Sequence, residues 1–186
     1  MKNILFGFGA TLVATAVSLT ADAPAPSFGK AVDLAVQIAE SEVVPLAEAM
    51  PAGKYDFAPT QGEFKGVRTF SQQMMHIAAV NYQIASAALG EKNPSEIGPG
   101  ENGPASIQGK DAVVAYLKDS YTYAHKAATS LTAANAMDML PSPFGGKIAR
   151  ISLASIVGWH SFDHYGQAVI YARMNGVIPP ASQPRK

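Results

Sequence analysis

The sequence predicts an all-α protein, built as a four-helix bundle. Four segments of roughly 20 to 30 residues carry apolar side chains at helical spacing, which is typical of helices that bury one face. Stretches rich in glycine and proline separate these segments. No stretch alternates apolar and polar residues between two sets of turn residues, so a sheet has no support. A bundle is therefore the expected architecture.

The helix bounds follow from the residues that begin and end each apolar stripe. The predicted helices are Phe28–Met50, Gly66–Leu89, Lys110–Ala134 and Gly146–Asn175. Ser27 is the expected N-cap of the first helix, and Pro45 is expected to kink or break that helix. Gly90 and Gly176 are expected to end the second and fourth helices in the left-handed conformation.

The connections between the helices differ in character. Residues 51–62 place two aromatics, Tyr55 and Phe57, among turn formers, so they are expected to plug one end of the domain. Residues 93–109 form a long irregular connection rich in proline and glycine, which is typical of a loop that covers a site or spans a bundle. Residues 137–144 are expected to form a proline-containing turn.

Composition excludes several classes of function. The chain has 14 basic and 14 acidic residues, a balance that gives no electrostatic footprint for nucleic acid. It has no cysteine, so thiolate nucleophiles, disulfides and thiolate metal sites are excluded. A metal site in this chain must use imidazole, carboxylate and water.

The N-terminal sequence is typical of a targeting segment. Lys2 precedes an uncharged apolar run, Ile4–Leu19, and small residues follow. We expect a signal peptide over residues 1–23, cut between about residues 19 and 26, and a bundle domain over residues 27–182. The alternative is an uncleaved membrane anchor, for which the run is short of the roughly 20 residues that a span needs. Cleavage would leave an exported protein, periplasmic or extracellular, with no stable membrane anchor.

Two of the four histidines, His160 and His164, stand four positions apart on the predicted fourth helix. They then lie about 40° apart around the axis and one turn from each other, the spacing at which one helix offers two imidazoles to one metal ion. His76 lies on the core-facing stripe of the second helix. Each histidine taken alone also fits a core or surface residue, but together the three can occupy one face of a metal.

Three other residues of the last helix are candidates for chemistry. Asp163 can orient an imidazole or act as a base near a metal-bound water, and it equally fits a surface acid. Gln167 and Tyr171 lie one and two turns beyond His164 and can hydrogen-bond a substrate, although Tyr171 also fits bundle packing. The fourth histidine, His125, is interpreted as solvated.

Trp159 projects about 100° away from the histidine face of the last helix. It is therefore interpreted as a packing residue rather than as part of a site.

These motifs resemble the DinB-like (YfiT-like) family of metal-binding four-helix bundles. The specific part is His160-x-x-x-His164 followed by Gly-Gln, a Tyr-x-Arg and Gly-x-x-Pro-Pro at the end of the chain. The segments Tyr55–Pro59 and Phe70–Ala78 add weaker support. The resemblance covers about residues 28–182.

The resemblance implies a divalent metal, usually zinc or nickel with iron or manganese as the other candidates, held by His76, His160 and His164. Members with known chemistry include S-transferases that use a low-molecular-weight thiol and a thiol-dependent isomerase. The resemblance also implies a homodimer. A leader peptide departs from the cytosolic members, because reduced thiols are scarce outside the cytoplasm.

Two hypotheses from different classes follow. The first is an exported metal-dependent enzyme that acts on a small molecule, either as a thiol transferase or as a hydrolase. The second is a non-catalytic, metal-binding or stress-associated helical module. The residues do not choose among the metals, because three imidazoles and water suit several divalent ions.

Overall fold

The structure, a computed structural model, describes residues 27–184. Its helices are α1 (Phe28–Ala49), α2 (Phe70–Leu89), α3 (Lys110–Thr129) and α4 (Arg150–Met174). The predicted all-α class and four-helix bundle are confirmed. The predicted signal peptide, residues 1–23, lies outside the described residues. No helix within residues 27–184 combines the length and the apolar character needed to cross a bilayer.

Each helix of one diagonal pair packs against both helices of the other pair. α1 contacts α3 and α4, and α2 contacts the same two helices, so α1 and α2 face each other across the core. Large side chains from all four helices are fully buried, among them Leu46, Phe70, Met74, Ile77, Leu117, Tyr121 and Leu153. This arrangement makes α2 and α4 direct neighbours, which matters because they carry three of the four histidines.

The start of α1 agrees with the sequence, whereas a break at Pro45 does not occur. The Ser27 side chain accepts a hydrogen bond from the backbone N–H of Lys30, as an N-cap should. α1 continues through Pro45 to Ala49 without a break. Pro45 has no N–H to donate to the carbonyl one turn earlier. Because only four residues of α1 follow it, this loss is confined to the C-terminal end of the helix.

α2 begins later than predicted, at Phe70 rather than Gly66. Thr69 and Gln72 form a capping box, in which each side chain bonds to the backbone N–H of the other residue. This reciprocal pair satisfies two N–H groups that a helix start otherwise leaves unpaired. At the other end, Gly90 has φ 72° and caps the helix as predicted.

α3 ends at Thr129 instead of Ala134. The following residues form a turn in which the Asn135 side chain accepts from the Thr132 N–H at 2.8 Å, while the Thr132 hydroxyl accepts from the Asn135 N–H. Such local side-chain bonds compete with helix formation. They stop α3 although alanines follow.

A small hairpin precedes α4, which corrects the expectation that no sheet is present. Strand β1 (Met139–Pro141) pairs antiparallel with β2 (Lys147–Ala149). Gly145 and Gly146 make the turn with φ 95° and 69°, a conformation that favours glycine. α4 therefore starts at Arg150, after the hairpin, and not at Gly146. Three-residue strands are too short to show alternation in sequence.

The two aromatics of the first connection lie where the sequence placed them, against the end of the bundle. Tyr55 is 4% exposed, its ring contacts Phe70 edge-on, and its hydroxyl donates to the Ala47 carbonyl at 2.7 Å. Phe57 packs edge-on against Tyr171 near the C-terminal end of α4. These contacts tie the α1–α2 connection to three of the helices.

Candidate metal centre

Three imidazoles meet between α2 and α4. His76 comes from α2, and His160 and His164 come from α4. One ring nitrogen from each histidine lies within 4.8 Å of the other two, and no other histidine or carboxylate group in residues 27–184 joins them. His76 and His164 are buried and His160 is half-buried. The three predicted metal ligands therefore form one group that can hold a metal ion.

The periodicity of the two helices explains why the rings meet. On α2, Gln73, His76 and Val80 are all buried at intervals of three and four residues, so they share the face that packs on α4. On α4, His160 and His164 are four residues apart and therefore one turn apart. Their ring centroids lie 4.6 Å from each other.

Hydrogen bonds fix two of the three rings. His76 Nδ1 lies 2.8 Å from the Glu101 carbonyl oxygen, and His164 Nδ1 lies 2.6 Å from Gln73 Oε1. Because both partners are acceptors, each Nδ1 carries the proton and each Nε2 presents a lone pair. This is the arrangement by which proteins orient metal-binding histidines.

The spacing of the free nitrogens fits a metal ion. His160 Nε2 lies 3.2 Å from His76 Nε2. Two nitrogens bound to one ion at about 2.0–2.1 Å are about 2.8–3.0 Å apart at octahedral angles and about 3.3–3.4 Å apart at tetrahedral angles. His160 Nδ1 is buried and has no partner within the described chain, so His160 is the ring that hydrogen bonding holds least firmly.

The surroundings keep all three imidazoles neutral. Burial, followed by the neighbouring His164 and His76, lowers the pKa of His160 to about 3. Burial and then His76 lower the pKa of His164 to about 4, and burial lowers the pKa of His76. The Arg68 charge lowers each of the three pKa values further. Neutral rings have the lone pairs that a metal requires.

The loop that supports His76 was only partly anticipated. Glu101 is the one residue other than glycine in residues 27–184 with a positive φ, 58°. Its carbonyl reaches His76 in this conformation, which costs roughly 1–2 kcal/mol for a residue with a Cβ. Arg68 holds the loop, because its Nε donates to Asn102 Oδ1 and its Nη2 donates to the Gly100 carbonyl, both at 2.8 Å.

Sequence reasoning placed a loop over a site but missed these supporting residues. Gln73, Glu101 and Arg68 were not singled out as residues that support the histidines. A backbone carbonyl leaves no mark on residue identity. The available signal was the recurrence of Gly98, Gly100 and Gly103, which marks a tightly folded loop.

Asp163 and Gln167 lie beside the three histidines. The Asp163 side chain is 67% exposed, and its Oδ2 is 4.0 Å from His164 Nε2. Gln167 Oε1 accepts from Gln73 Nε2 at 3.0 Å, and Gln167 Nε2 lies 3.5 Å from Asp163 Oδ2. Gln73 thus links Gln167 to His164. The proposed chemical roles of Asp163 and Gln167 stay predictions.

Tyr171 lies farther along α4, in the core. It is 5% exposed, and its ring meets Phe57 at a centroid distance of 5.8 Å. Its catalytic role also stays a prediction.

The interpretation of His125 as solvated was wrong. His125 Nδ1 lies 2.5 Å from Asp33 Oδ1 and its Nε2 lies 3.0 Å from Glu40 Oε2, so it joins α3 to α1. Burial alone would lower the pKa of His125, but hydrogen bonds to Glu40 and Asp33 and the charges of both acids raise it. The acids lie on another helix, which is why the neighbours of His125 in sequence gave no hint of them.

Trp159 does not pack in the core either, because it is 60% exposed. It lies beside the cluster, with its ring centroid 6.3 Å from that of His160. The helical projection correctly turned it away from the other imidazoles, but that direction leads to solvent.

Comparison with known proteins agrees with this geometry. The family model of the DinB superfamily matches residues 35–168, a range that contains all three clustered histidines. No curated protein sequence matches the chain.

Proposed function

This chain belongs to the DinB superfamily, and from that membership we propose that it is an exported metal-dependent enzyme that acts on a small molecule. The observation that carries the proposal is the convergence of His76, His160 and His164. Their three nitrogens lie within 4.8 Å of one another, and no further histidine or carboxylate in residues 27–184 completes the group. Three protein ligands with open positions are typical of catalytic sites, whereas structural sites are closed by four.

The proposed metal is zinc or nickel, with iron or manganese as the other candidates. A bound divalent ion would supply a Lewis acid and would lower the pKa of a water or thiol. The chain supplies a neutral, oriented donor set, since the carbonyl oxygens of Glu101 and Gln73 hold protons on the outer nitrogens of His76 and His164.

We assign the proton-handling role to Asp163. Its carboxylate is exposed and lies 4.0 Å from His164 Nε2, so it can take a proton from a substrate beside the imidazoles and release it to solvent. Gln167 is held by Gln73 at 3.0 Å and presents its amide N–H groups on the same side, where they can orient a substrate. Tyr171, whose buried ring packs against Phe57, is the third proposed catalytic residue.

Export is proposed from the predicted signal peptide. It favours hydrolysis or transfer to a substrate over chemistry that depends on the reduced thiols of the cytoplasm. N-terminal sequencing of protein recovered from the cell envelope and the medium tests this point, and an intact leader would contradict cleavage.

Metal analysis is the direct test of the centre. Untagged protein, purified without a polyhistidine sequence, is expected to contain a stoichiometric divalent metal by elemental mass spectrometry. His160→Ala should lose it, because one of three ligands is gone. The matched control, His125→Ala, removes a histidine that lies between α1 and α3 and should retain the metal. Metal-free wild-type protein, unable to take up added zinc or nickel, contradicts the proposal.

A substrate screen separates an enzyme from a non-catalytic module. Thiol-transfer and hydrolytic substrates are tested with the metal-loaded protein, with the chelated protein and with Asp163→Asn. Turnover that chelation and the Asp163 change both abolish supports the enzyme. If chelation only lowers the melting temperature and no substrate turns over, the metal has a structural role, since loss of a bound ion alone destabilises the fold.

A further inference from the structure

A polar pocket of about 450 Å³ opens beside the three histidines. Its polar lining comes from Arg68, Gln72, Gln73, Asn102 and Gln167. Gln73 belongs to both the pocket and the histidine centre, because its Oε1 accepts the hydrogen bond from His164. A molecule seated in the pocket is therefore next to the imidazoles.

Each side-chain amide oxygen of this pocket already accepts one hydrogen bond. Asn102 Oδ1 accepts from Arg68 Nε, and Gln72 Oε1 accepts from the N–H of the α2 N-cap residue. Gln167 Oε1 accepts from Gln73 Nε2.

Several hydrogen-bond donors that line the pocket have no partner among residues 27–184. Arg68 Nη1 and the amide nitrogens of Gln72 and Asn102 have no hydrogen-bond partner in the described part of the chain, although each can donate two hydrogen bonds. Because these nitrogens have no partner there while each amide oxygen already has one, the pocket favours a ligand rich in acceptors.

The charge of the pocket also favours a ligand rich in acceptors, because its one charged side chain is the cation Arg68. Arg68 forms no ion pair with any acid in residues 27–184. The nearby carboxylates of Glu101 and Asp163 are both exposed. A half-buried guanidinium that has no ion-pair partner among the described residues attracts an anion. Its planar fork of N–H groups matches the two oxygens of a carboxylate.

We propose that the pocket between Arg68, Gln72 and Asn102 is a carboxylate subsite, which holds the acidic end of a small substrate while the other end reaches the three-histidine centre. This inference rests on the proposed function for the second end, but the carboxylate contact stands by itself. It names the substrate class as small carboxylic acids.

The test uses 3-mercaptopropionate and its amide, 3-mercaptopropionamide, which differ only in the end group, a carboxylate in one and an uncharged amide in the other. ¹⁵N NMR titrations of the whole chain follow the side-chain signals of Arg68, Gln72 and Asn102, with and without added Zn²⁺. The acid should shift these signals and bind at least about tenfold more tightly than the amide, because hydrogen bonds between charged groups are the stronger ones. Equal affinities for acid and amide would overturn the proposal.

Variants locate the preference. Arg68→Met should abolish it, and Arg68→Lys, which keeps the charge but loses the fork, should retain part of it. Lys65→Met removes an exposed charge three residues away and should change nothing. An equal loss in Lys65→Met and Arg68→Met would attribute the preference to net charge and contradict the subsite. The Glu101 amide signal reports whether Arg68→Met has displaced the loop. If it has, the acid preference measured in Arg68→Lys is the deciding result, and no preference retained there would contradict the subsite.

The two zinc conditions separate this inference from the proposed function. Acid-selective shifts in a protein that binds no zinc would confirm the subsite and refute the metal centre. Zinc binding without acid selectivity would support the metal centre and refute the subsite.

Discussion

The bundle contains histidine in two clusters of polar residues, and the two clusters favour opposite charge states of the imidazole ring. Between α2 and α4, His76, His160 and His164 face one another, and their surroundings lower the pKa of each ring. Between α1 and α3, His125 lies between Asp33 and Glu40, which raise its pKa. The first cluster is built to stay neutral and the second to carry a charge.

The difference comes from the acceptor that each ring nitrogen meets. In the α2–α4 cluster the acceptors are uncharged, a backbone carbonyl for His76 and an amide oxygen for His164. These partners orient a ring without favouring its protonation, which leaves a lone pair for a metal. Carboxylates on both nitrogens of His125 favour the imidazolium and leave no lone pair, so His125 is an ionic link between helices.

The largest expected effect comes from replacing Gln73, the glutamine behind the His164 ring. Gln73→Leu removes the acceptor that orients His164, and zinc affinity should fall by about 10–100-fold, as is typical for partners behind metal ligands. Gln37→Leu is the matched control, because Gln37 donates to Asp33 in the other cluster. Competition with a chelating zinc indicator measures both. A comparable loss in Gln37→Leu would mean that the two clusters are not independent.

The second expected effect is on stability, and it is specific to the α1–α3 link. His125→Leu leaves the Asp33 carboxylate, whose side chain is only 12% exposed, without its charged partner. The free energy of unfolding should fall by about 1–3 kcal/mol, the cost of leaving a buried polar group unsatisfied. Urea unfolding at pH 6 measures this change, and the zinc content should stay at the wild-type level. An unchanged midpoint would show that the ion pairs contribute nothing net.

Sequence alone reached one of these clusters and missed the other for a physical reason. His160 and His164 share one helix, so helical periodicity alone places them together, and His76 lies on an apolar stripe that has to face the core. His125 depends on Asp33 and Glu40 from a different helix, and periodicity does not specify which helices are neighbours. The diagonal arrangement of α1 and α2 was likewise not predictable from the apolar stripes.

The fold was predictable where long apolar stripes or a glycine cap defined an element. It was not predictable where a few local hydrogen bonds decide the outcome. The Thr132–Asn135 turn ends α3 early, and the β1–β2 hairpin takes residues that a stripe alone assigns to α4. The Glu101 carbonyl is the counterpart in the site, because a backbone group that supports a ligand is encoded by the shape of a loop.

The third expected effect is an opposite pH dependence for the two clusters in metal-free protein. His160 and His164 have pKa values of about 3 and about 4 when folded, below their ordinary 6.5. The unfolded chain therefore binds more protons, and stability from this cluster falls as pH drops from 6.5 towards 4. His125 has a raised pKa, so its contribution is complete below 6.5 and is lost as pH rises through the folded value.

Melting temperatures between pH 5 and pH 8, with chelator present, test these signs. The deficit of His125→Leu relative to wild type should shrink as the pH rises. His164→Phe should gain relative to wild type as the pH falls, because it removes a group that takes up a proton on unfolding. Parallel curves for all three proteins would contradict the division into a neutral and a charged cluster.

The smallest expected effect tests how far the neutral cluster extends from its metal. Gln167 holds the amide nitrogen of Gln73, whose oxygen in turn orients His164, so Gln167 is one step farther from the ion. Gln167→Leu should lower zinc affinity by only a few-fold, less than the effect of Gln73→Leu, because contributions behind a ligand weaken with each intervening group. The same indicator competition measures it. A loss as large as that of Gln73→Leu would show that the two glutamines act as a unit. Gln167 would then belong to the neutral cluster, together with Gln73 and the three histidines.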